Sequence, residues 1–425
     1  MDVVAREHGA PTIESLLASK EIVIFCGSGG VGKTTTAAAA AVMAALRHGG
    51  KVLVLTVDPA RRLASALGLP GLGNRAVQIP VSAFETAGVT PRGEMWAAML
   101  DTKQSWDDLV HRHAPDRGTE RRILENPLYQ NIAGKFVQSH DYIAMERLYE
   151  LHASGDYDLI VVDTPPTRNA LDFIEAPDRM AEFFSSRLLR MLIVPYRSRV
   201  VNLASRPFYQ IADRILGSQF LADIAEFFIL FQTMYDGFVQ RARAVERLLH
   251  APRTSFVVVA TLEAAPVREA EFFVRVLHDR HYPLGALVLN KTLPAYLLDE
   301  DAGRRAERLC ASAADLAGRA RARADGDRAT EAGAGRARAR ADHADRAGSD
   351  RADLATQVGA DPAVLARVLA EVGDNFRNLL VVAQRESTQR AGLSALPEVV
   401  ATVPELDEDI YDLAGLLRLG ERVWS

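Results

Sequence analysis

The sequence has few cysteines and no excess of basic residues, and each shortage excludes a class of protein. Its two cysteines, Cys26 and Cys310, cannot form a disulfide framework or a Cys-x-x-Cys metal site. The formal net charge of −5 at pH 7 argues against a general nucleic-acid coat, because such proteins need excess Lys and Arg to displace counterions. We therefore expect neither disulfides nor a nucleic-acid partner.

Long apolar runs are also missing. The most apolar stretch, FLADIAEFFILFQTMY at 220–235, is interrupted by Asp223 and Glu226. No uninterrupted run reaches the roughly 18 residues that a membrane span needs. The first residues, MDVVAREHGAPTIESLL, do not show the basic segment and apolar run of a secretory signal. These absences predict a soluble, cytoplasmic protein with no integral membrane span.

Short apolar runs rich in β-branched residues indicate buried parallel strands, because such strands are covered on both faces. The segments between the runs are long enough for crossover helices, and the Ala-rich stretch at 34–50 is the first of these. The predicted fold class is α/β, with a doubly wound, mostly parallel sheet and an inserted helical subdomain. The predicted strands are EIVIFC (21–26), KVLVLTVD (51–58), DLIVVD (158–163), SFVVVAT (255–261) and ALVLN (286–290).

Apolar residues at helical spacing predict the helical subdomain at about 177–250, and a smaller helical part at about 103–150. These apolar positions fit either packing against the core or a groove that binds an apolar helix. The main domain is expected to comprise residues 1–310 and 354–425, with an insert between them.

The insert, residues 311–353, differs in composition from the rest of the chain. It contains AGRARARAD at 317–325 and again at 334–342, with almost no large apolar side chain. Such a segment buries too little apolar surface to offset an ordering cost of roughly 1–2 kcal/mol per residue. We expect disorder or a loosely solvated helix. An arm that binds RNA or an acidic ligand is the alternative, which the interleaved acidic residues weaken.

The sequence GSGGVGKT at 27–34 fits the phosphate-loop pattern GxxxxGK[ST]. Glycines let successive backbone N–H groups point at phosphate oxygens, and the loop leads into a helix N-terminus that favours anions. Lys33 is expected to reach the β- and γ-phosphates, and the Thr34 hydroxyl is expected to bind Mg²⁺. This pattern predicts a P-loop NTPase core. The predicted nucleotide-binding residues here are Gly27, Ser28, Gly29, Gly30, Val31, Gly32, Lys33, Thr34 and Thr35.

Acidic residues follow two of the predicted strands. Asp163 ends DLIVVD, where a carboxylate contacts Mg²⁺ or its water, while Asp58 lies in TVDPARRL, where Asp-Pro is also a common turn starter. Asn290 and Lys291 follow another strand, as in the NKxD motif of GTPases, but Leu293 replaces the Asp that pairs with guanine. We therefore expect ATP with Mg²⁺ rather than GTP.

Taken together, these residues resemble the ArsA-type ATPases, which include arsenite-pump motors and ATPases that target tail-anchored membrane proteins. The resemblance covers about 20–293 and 396–420 and includes segments typical of an actinobacterial branch. Its motifs are GSGGVGKTT (27–35), VDPARRLASALG (57–68), VDTPPTRNALDF (162–173) and PELDEDI (404–410).

The resemblance implies a dimeric ATPase in which nucleotide state moves the helical subdomain. It assigns Asp58 and Lys33 to catalysis, with Asp58 activating the attacking water, and Thr34 and Asp163 to the metal. It also implies that Asn290 bonds to adenine. Val403 and Pro404 would then cover the face of the base. The client it implies is an apolar helix or a membrane protein.

The sequence departs from the family pattern in ways that leave alternatives open. Ser28 replaces a Lys that, in this family, reaches the partner's nucleotide. Two alternatives to a homodimeric motor therefore stay open. One is a slow ATPase, and the other is a low-turnover regulatory subunit paired with an active paralogue. Two separate cysteines argue against an arsenite site and against a zinc clamp between subunits. A partition ATPase is disfavoured, since it depends on the Lys missing at position 28.

Overall fold

The predicted apolar runs form strands of one sheet in the computed structural model. The structure describes residues 12–57, 61–132, 137–165, 179, 182, 218–332, 361–393, 397 and 399–424. The chain divides into two compact units: Met1–Thr292 together with Leu393–Ser425, and Leu293–Gly392.

In the first unit, the described residues form an eight-stranded sheet. The strands are β1 Ile22–Cys26, β2 Lys51–Thr56, β3 Val77–Gln78, β4 Glu94–Met99, β5 Leu159–Asp163, β6 Thr254–Ala260, β7 Leu284–Thr292 and β8 Val399–Pro404. Their order in the sheet is β3-β4-β2-β5-β1-β6-β7-β8. All pairings are parallel except that of β3 with β4. The α/β, mostly parallel fold class is thus confirmed, and the five predicted strands are β1, β2, β5, β6 and β7.

Successive strand residues point to opposite faces, and a separate apolar core covers each face. Ile22 and Ile24 belong to one core, while Val23 and Phe25 belong to the other. A sheet with two covered faces is doubly wound, as predicted. Helices contributing to the Ile22 core include Thr102–His113, Arg117–Glu125, Pro127–Ile132, Val137–Ser154, Ser218–Phe231, Tyr235–His250 and Ala264–Asp279. Those of the other core include Ile13–Ser19, Lys33–Arg47, Arg61–Ala66, Val81–Thr86 and Leu413–Trp424.

Aromatic side chains join the helices on the Ile22 face. Phe231 and Phe238 stack with ring centroids 5.1 Å apart, and both contact Trp106. Phe227 and Phe231 are buried, so these two side chains of the predicted helical subdomain serve the core in this structure. Residues 183–217 of that subdomain lie outside the described residues.

A buried ion pair crosses the same layer. Arg241 Nε lies 2.5 Å from Glu146 Oε1, and the two side chains are 14% and 8% exposed. Tyr142 donates a hydrogen bond of 3.1 Å to the other Glu146 oxygen. Because a buried charge without a partner is costly, the pair fixes helix Tyr235–His250 against helix Val137–Ser154.

The second unit contains the helices Glu300–Ala332 and Pro362–Gly392 and a short 3₁₀ turn at Ala295–Leu298. The two long helices touch where a Cβ at Gly373 would lie 2.4 Å from Cys310 Sγ. The described part of the predicted insert, up to Ala332, is helical. Among the described residues, no helix is both long enough and apolar enough to cross a membrane.

Candidate functional site

Most of the predicted site residues that the structure describes lie at or just after the carboxyl ends of strands of the sheet. Helix Lys33–Arg47, which follows β1, packs on one face of the sheet, and helix Ala264–Asp279, which follows β6, packs on the other. Strands β1 and β6 are neighbours, so the connections diverge between them. A crevice at such a divergence is the usual ligand site of an open parallel sheet.

The loop after β1 needs glycine at Gly27 and Gly30 for different reasons. Gly27 has a φ of +151°, and a Cβ there would lie 2.1 Å from the Val259 carbonyl oxygen on β6. Gly30 has a φ of +84° with no atom within 4 Å of an added Cβ, so its backbone borders open space. A glycine-lined bend that leads into a 15-residue helix presents backbone N–H groups to an anion.

Lys33 is the first residue of that helix and is only 6% exposed. Its ammonium nitrogen lies 3.3 Å from the Ser28 carbonyl oxygen, to which it donates a hydrogen bond across the loop. The Ser28 hydroxyl is buried and has no hydrogen-bond partner among the described residues. The loop therefore holds one buried cation beside an uncharged side chain. Thr34 and Thr35 follow, both half-buried.

Asp163 lies beside this loop and is fully buried at the end of β5. The parallel register pairs it with Phe25, two residues before Gly27. Thr56 Oγ1 on β2 donates a hydrogen bond of 2.9 Å to Asp163 Oδ2. The Thr164 hydroxyl donates to the Phe25 carbonyl at 2.9 Å and ties the segment after β5 to β1.

Thr56 and Thr164 were not among the predicted site residues. A Thr that ends a strand or follows one also occurs as ordinary packing, so the sequence contains no separate signal for these contacts. The one feature of the sequence that points to the Thr56 contact is a hydroxyl at the end of β2, the strand next to β5. It becomes informative only once the strand order is known.

Cys26 lies between the sheet and the loop, and its environment suppresses thiol chemistry. Burial raises the pKa of the Cys26 thiol far above its ordinary value, against a smaller lowering effect of Lys33. The thiolate is the form that attacks electrophiles and binds soft metals. Cys26 is therefore a packing residue in this structure.

Asn290 approaches the loop from β7. Its Nδ2 donates a hydrogen bond of 2.8 Å to the Val31 carbonyl oxygen, and the side chain is buried. Strand β7 has one residue more than β8 between the pairs Leu289–Thr402 and Thr292–Pro404. Lys291, in this bulge, has a φ of +55°. A bulge of this kind re-aims side chains, and here the amide meets the loop.

The remaining predicted residues are placed as follows. Val403 is fully buried on β8, and its carbonyl accepts a hydrogen bond of 3.2 Å from the Thr292 hydroxyl beside Asn290. Pro404 follows it and is half-buried. Asp58 lies outside the described residues, immediately after Val57, whose N–H donates to the Asp163 carbonyl at 3.0 Å.

The arrangement has the chemistry of a phosphate and divalent-metal site. Backbone N–H groups and a Lys ammonium bind anionic oxygens, while a carboxylate and a Thr hydroxyl are the hard oxygen ligands that Mg²⁺ prefers. An added Cβ at Gly30 would meet no atom of the described residues within 4 Å, so the loop leaves room there for a phosphate group.

Comparison with known proteins identifies the family. The family model for ArsA ATPases, described as anion-transporting ATPases, matches residues 20–309. "ATPase GET3" of Malassezia globosa is 26% identical over 287 residues, which are 67% of this chain and 76% of that protein. "Putative arsenical pump-driving ATPase 1" of Aquifex aeolicus is 22% identical over 66% of this chain and 65% of its own length.

An "ATPase ASNA1 homolog" of Entamoeba dispar is 25% identical over 66% of this chain and 80% of that protein. These identities leave the assignment to an actinobacterial branch a prediction. The family model covers more than half of the sequence and includes the phosphate loop, Asp163 and Asn290. The chain therefore belongs to the ArsA-type family of ATPases.

Proposed function

We propose that this chain binds ATP with Mg²⁺ at the loop of residues 27–34 and hydrolyses the β–γ phosphoanhydride bond. One observation carries the proposal. Lys33, the first residue of the helix after the glycine-lined bend, and Asp163, the last residue of β5 next to β1, are both buried. An ammonium beside backbone N–H groups binds phosphate oxygens, and a carboxylate at the end of the adjacent strand is a ligand for a divalent cation, so this placement fits a nucleotide with its metal.

Each residue has a distinct task in this proposal. The N–H groups from Gly27 to Lys33 bind the phosphate oxygens. The Lys33 ammonium, which here donates to the Ser28 carbonyl, gives up that hydrogen bond and binds the β- and γ-phosphates instead. Thr34 and Asp163 hold Mg²⁺, which when bound neutralises charge that develops on the phosphates. Thr56 orients the Asp163 carboxylate through its hydrogen bond.

Two further assignments rest on the family resemblance. Asp58 orients and activates the attacking water, since it follows β2, the strand that also carries Thr56. Asn290, Val403 and Pro404 form the base-binding end of the site; they lie on β7 and β8, which are adjacent strands of the sheet.

Calorimetry with ATP and Mg²⁺, together with steady-state phosphate release, tests the proposal. Lys33→Ala should weaken ATP binding by at least about tenfold, and Asp163→Asn should lower turnover by about 100-fold or more. Asp158→Asn is the matched control, because Asp158 precedes the other end of β5 and bonds the Lys51 N–H at 2.7 Å. Wild-type protein that takes up no ATP at millimolar concentration would contradict the proposal.

A second candidate function is a low-turnover regulatory subunit that pairs with a paralogue. The observation that favours it is Ser28, whose buried, uncharged hydroxyl supplies nothing to a neighbour's nucleotide. Purification from native cells followed by native mass spectrometry decides the question. A homodimer with rapid turnover would exclude this candidate.

The partners and location follow from the same reasoning. We propose a cytoplasmic homodimer or heterodimer in which nucleotide state moves the helical subdomain, with an apolar helix or membrane protein as client. Phe227 and Phe231 are buried, so any client surface of the subdomain uses other residues unless these helices separate. The suppressed Cys26 thiol supports a function other than arsenite pumping.

A further inference from the structure

The hydrogen bond from Asn290 to the phosphate loop has a geometric consequence. Asn290 Nδ2 donates to the carbonyl oxygen of Val31, 2.8 Å away. The peptide that joins Val31 to Gly32 is planar and trans, so its N–H points opposite to its carbonyl. Holding the carbonyl on the side of β7 therefore aims the Gly32 N–H away from β7.

Gly32 and Asn290 are matched to each other in shape. Gly32 has a φ of +89°, and a Cβ at this position would lie 2.3 Å from Asn290 Nδ2. Glycine is thus required twice, once by the left-handed backbone and once by the amide that fills the space. Gly32 also begins the helix, since its carbonyl accepts hydrogen bonds of 2.9 Å from the Thr36 N–H and hydroxyl.

The fold holds Asn290 in place from the other side. The bulge in β7 turns Lys291 to a φ of +55°, and Thr292 bonds the Val403 carbonyl of β8 at 3.2 Å. Asn290 is 6% exposed and Val31 is 1% exposed, so the bond between them is shielded from water. A buried carbonyl that loses its donor is left with an uncompensated desolvation cost.

We propose that Asn290 is a positioning residue of the phosphate loop, which fixes the Val31–Gly32 peptide so that the Gly32 N–H is presented to a triphosphate. The inference rests on the proposed function and deepens it. Asn290 acts on the phosphate end of the ligand through Val31, whichever base the nucleotide carries.

A ligand without a base separates this role from recognition of adenine. Binding of inorganic tripolyphosphate, ATP and GTP, each with Mg²⁺, is measured by calorimetry for wild type, Asn290→Ala and Asn290→Asp. Asn290→Asp keeps the shape but removes the N–H donor. We expect affinity for tripolyphosphate to fall roughly tenfold, because the lost bond serves the loop, and affinity for ATP and GTP to fall by at least that factor.

Asn126 offers a matched control. It lies between the helices Arg117–Glu125 and Pro127–Ile132, remote in sequence from the loop. It is also buried, and its Nδ2 donates a hydrogen bond of 3.2 Å to the Asp223 carbonyl. Asn126→Ala should lower the unfolding midpoint without changing the affinity for tripolyphosphate. If Asn290→Asp is unstable, Asn290→Ala, which introduces no charge, carries the comparison.

The possible results are distinct. If the variants lose affinity for ATP but keep that for tripolyphosphate, the inference is overturned and Asn290 serves only to recognise the base. Equal affinities in wild type and both variants would also overturn it. If wild-type protein binds none of the three ligands, the proposed function fails. If wild type binds all three and the variants bind them with unchanged affinity, only the role of Asn290 is refuted.

Discussion

At the scale of single residues, burial decides the charge state of several ionisable side chains. His113 ends the helix Thr102–His113, where burial, reinforced by the positive charges of Arg241 and Arg112, lowers its pKa from 6.5 to about 4. The unfolded chain thus binds a proton at this histidine between about pH 6.5 and pH 4, while the folded chain does not. The contribution of neutral His113 to stability is fully present above pH 6.5 and is lost as pH falls through this window.

We therefore expect His113→Gln to flatten the loss of stability between pH 7 and pH 5. Urea unfolding at the two pH values measures the difference in unfolding free energy for each protein. His278→Gln serves as the control, since the His278 side chain is 85% exposed. An unchanged pH dependence in His113→Gln, equal to that of wild type, would show that the histidine is protonated in the folded chain.

At the scale of elements, the packing of the two long helices depends on one glycine. A Cβ at Gly373 would lie 2.4 Å from Cys310 Sγ and 3.3 Å from the Ala306 carbonyl oxygen. Gly373→Ala should destabilise the helix pair by about 1–2 kcal/mol, because overpacking outweighs the gain in helix propensity. Hydrogen exchange of amides in Pro362–Gly392 reports the local change.

Two further variants test the cause of that effect. Cys310→Ala combined with Gly373→Ala should recover much of the loss, since the sulfur occupies the space that the new methyl group needs. Gly318→Ala, on the helix Glu300–Ala332, meets no atom within 4 Å and should raise stability by up to about 1 kcal/mol. Equal protection in Gly373→Ala and Gly318→Ala would contradict close packing at this point.

The elements also show what the sequence could predict. The continuous apolar runs identified β1, β2, β5, β6 and β7, because strands covered on both faces carry a strong signal. Strand β4, EMWAAM, was not predicted, since its alanines and short length resemble many segments outside sheets. The two-residue β3 has no pattern at all. The pair Gly373–Cys310 joins positions far apart in the chain, which no periodicity reveals.

The candidate site divides in the same way. The phosphate loop and Asp163 were predicted because their chemistry is encoded in a contiguous motif and at a strand end. The bond from Asn290 to Val31 was not, because a one-residue bulge in β7 decides where that amide points. The contact of Thr56 with Asp163 likewise depends on β2 lying next to β5.

At the scale of the whole molecule, Ser28 makes cooperation between two chains in hydrolysis testable. Ser28 carries no charge, and its hydroxyl is buried within its own loop. The family resemblance implies a Lys at this position that reaches a partner's nucleotide. If the chain forms homodimers, Ser28→Lys should restore that cation. We expect phosphate release to rise by at least about tenfold, a cautious figure beside the 10³–10⁵ typical of a cation supplied in trans.

The design separates an effect between chains from one within a chain. Ser28→Met, of similar length but without charge, should leave turnover unchanged. A Ser28→Lys/Lys33→Ala double variant should be inactive alone, since Lys33 holds the chain's own phosphates in the proposed mechanism. Mixed with wild type, it should still accelerate the wild-type sites, because its added Lys acts on the neighbour.

If the single variant Ser28→Lys is accelerated but the mixture is not, the new ammonium acts on the nucleotide of its own chain. No acceleration in either case would favour the regulatory subunit, which requires a different chain to supply the charge.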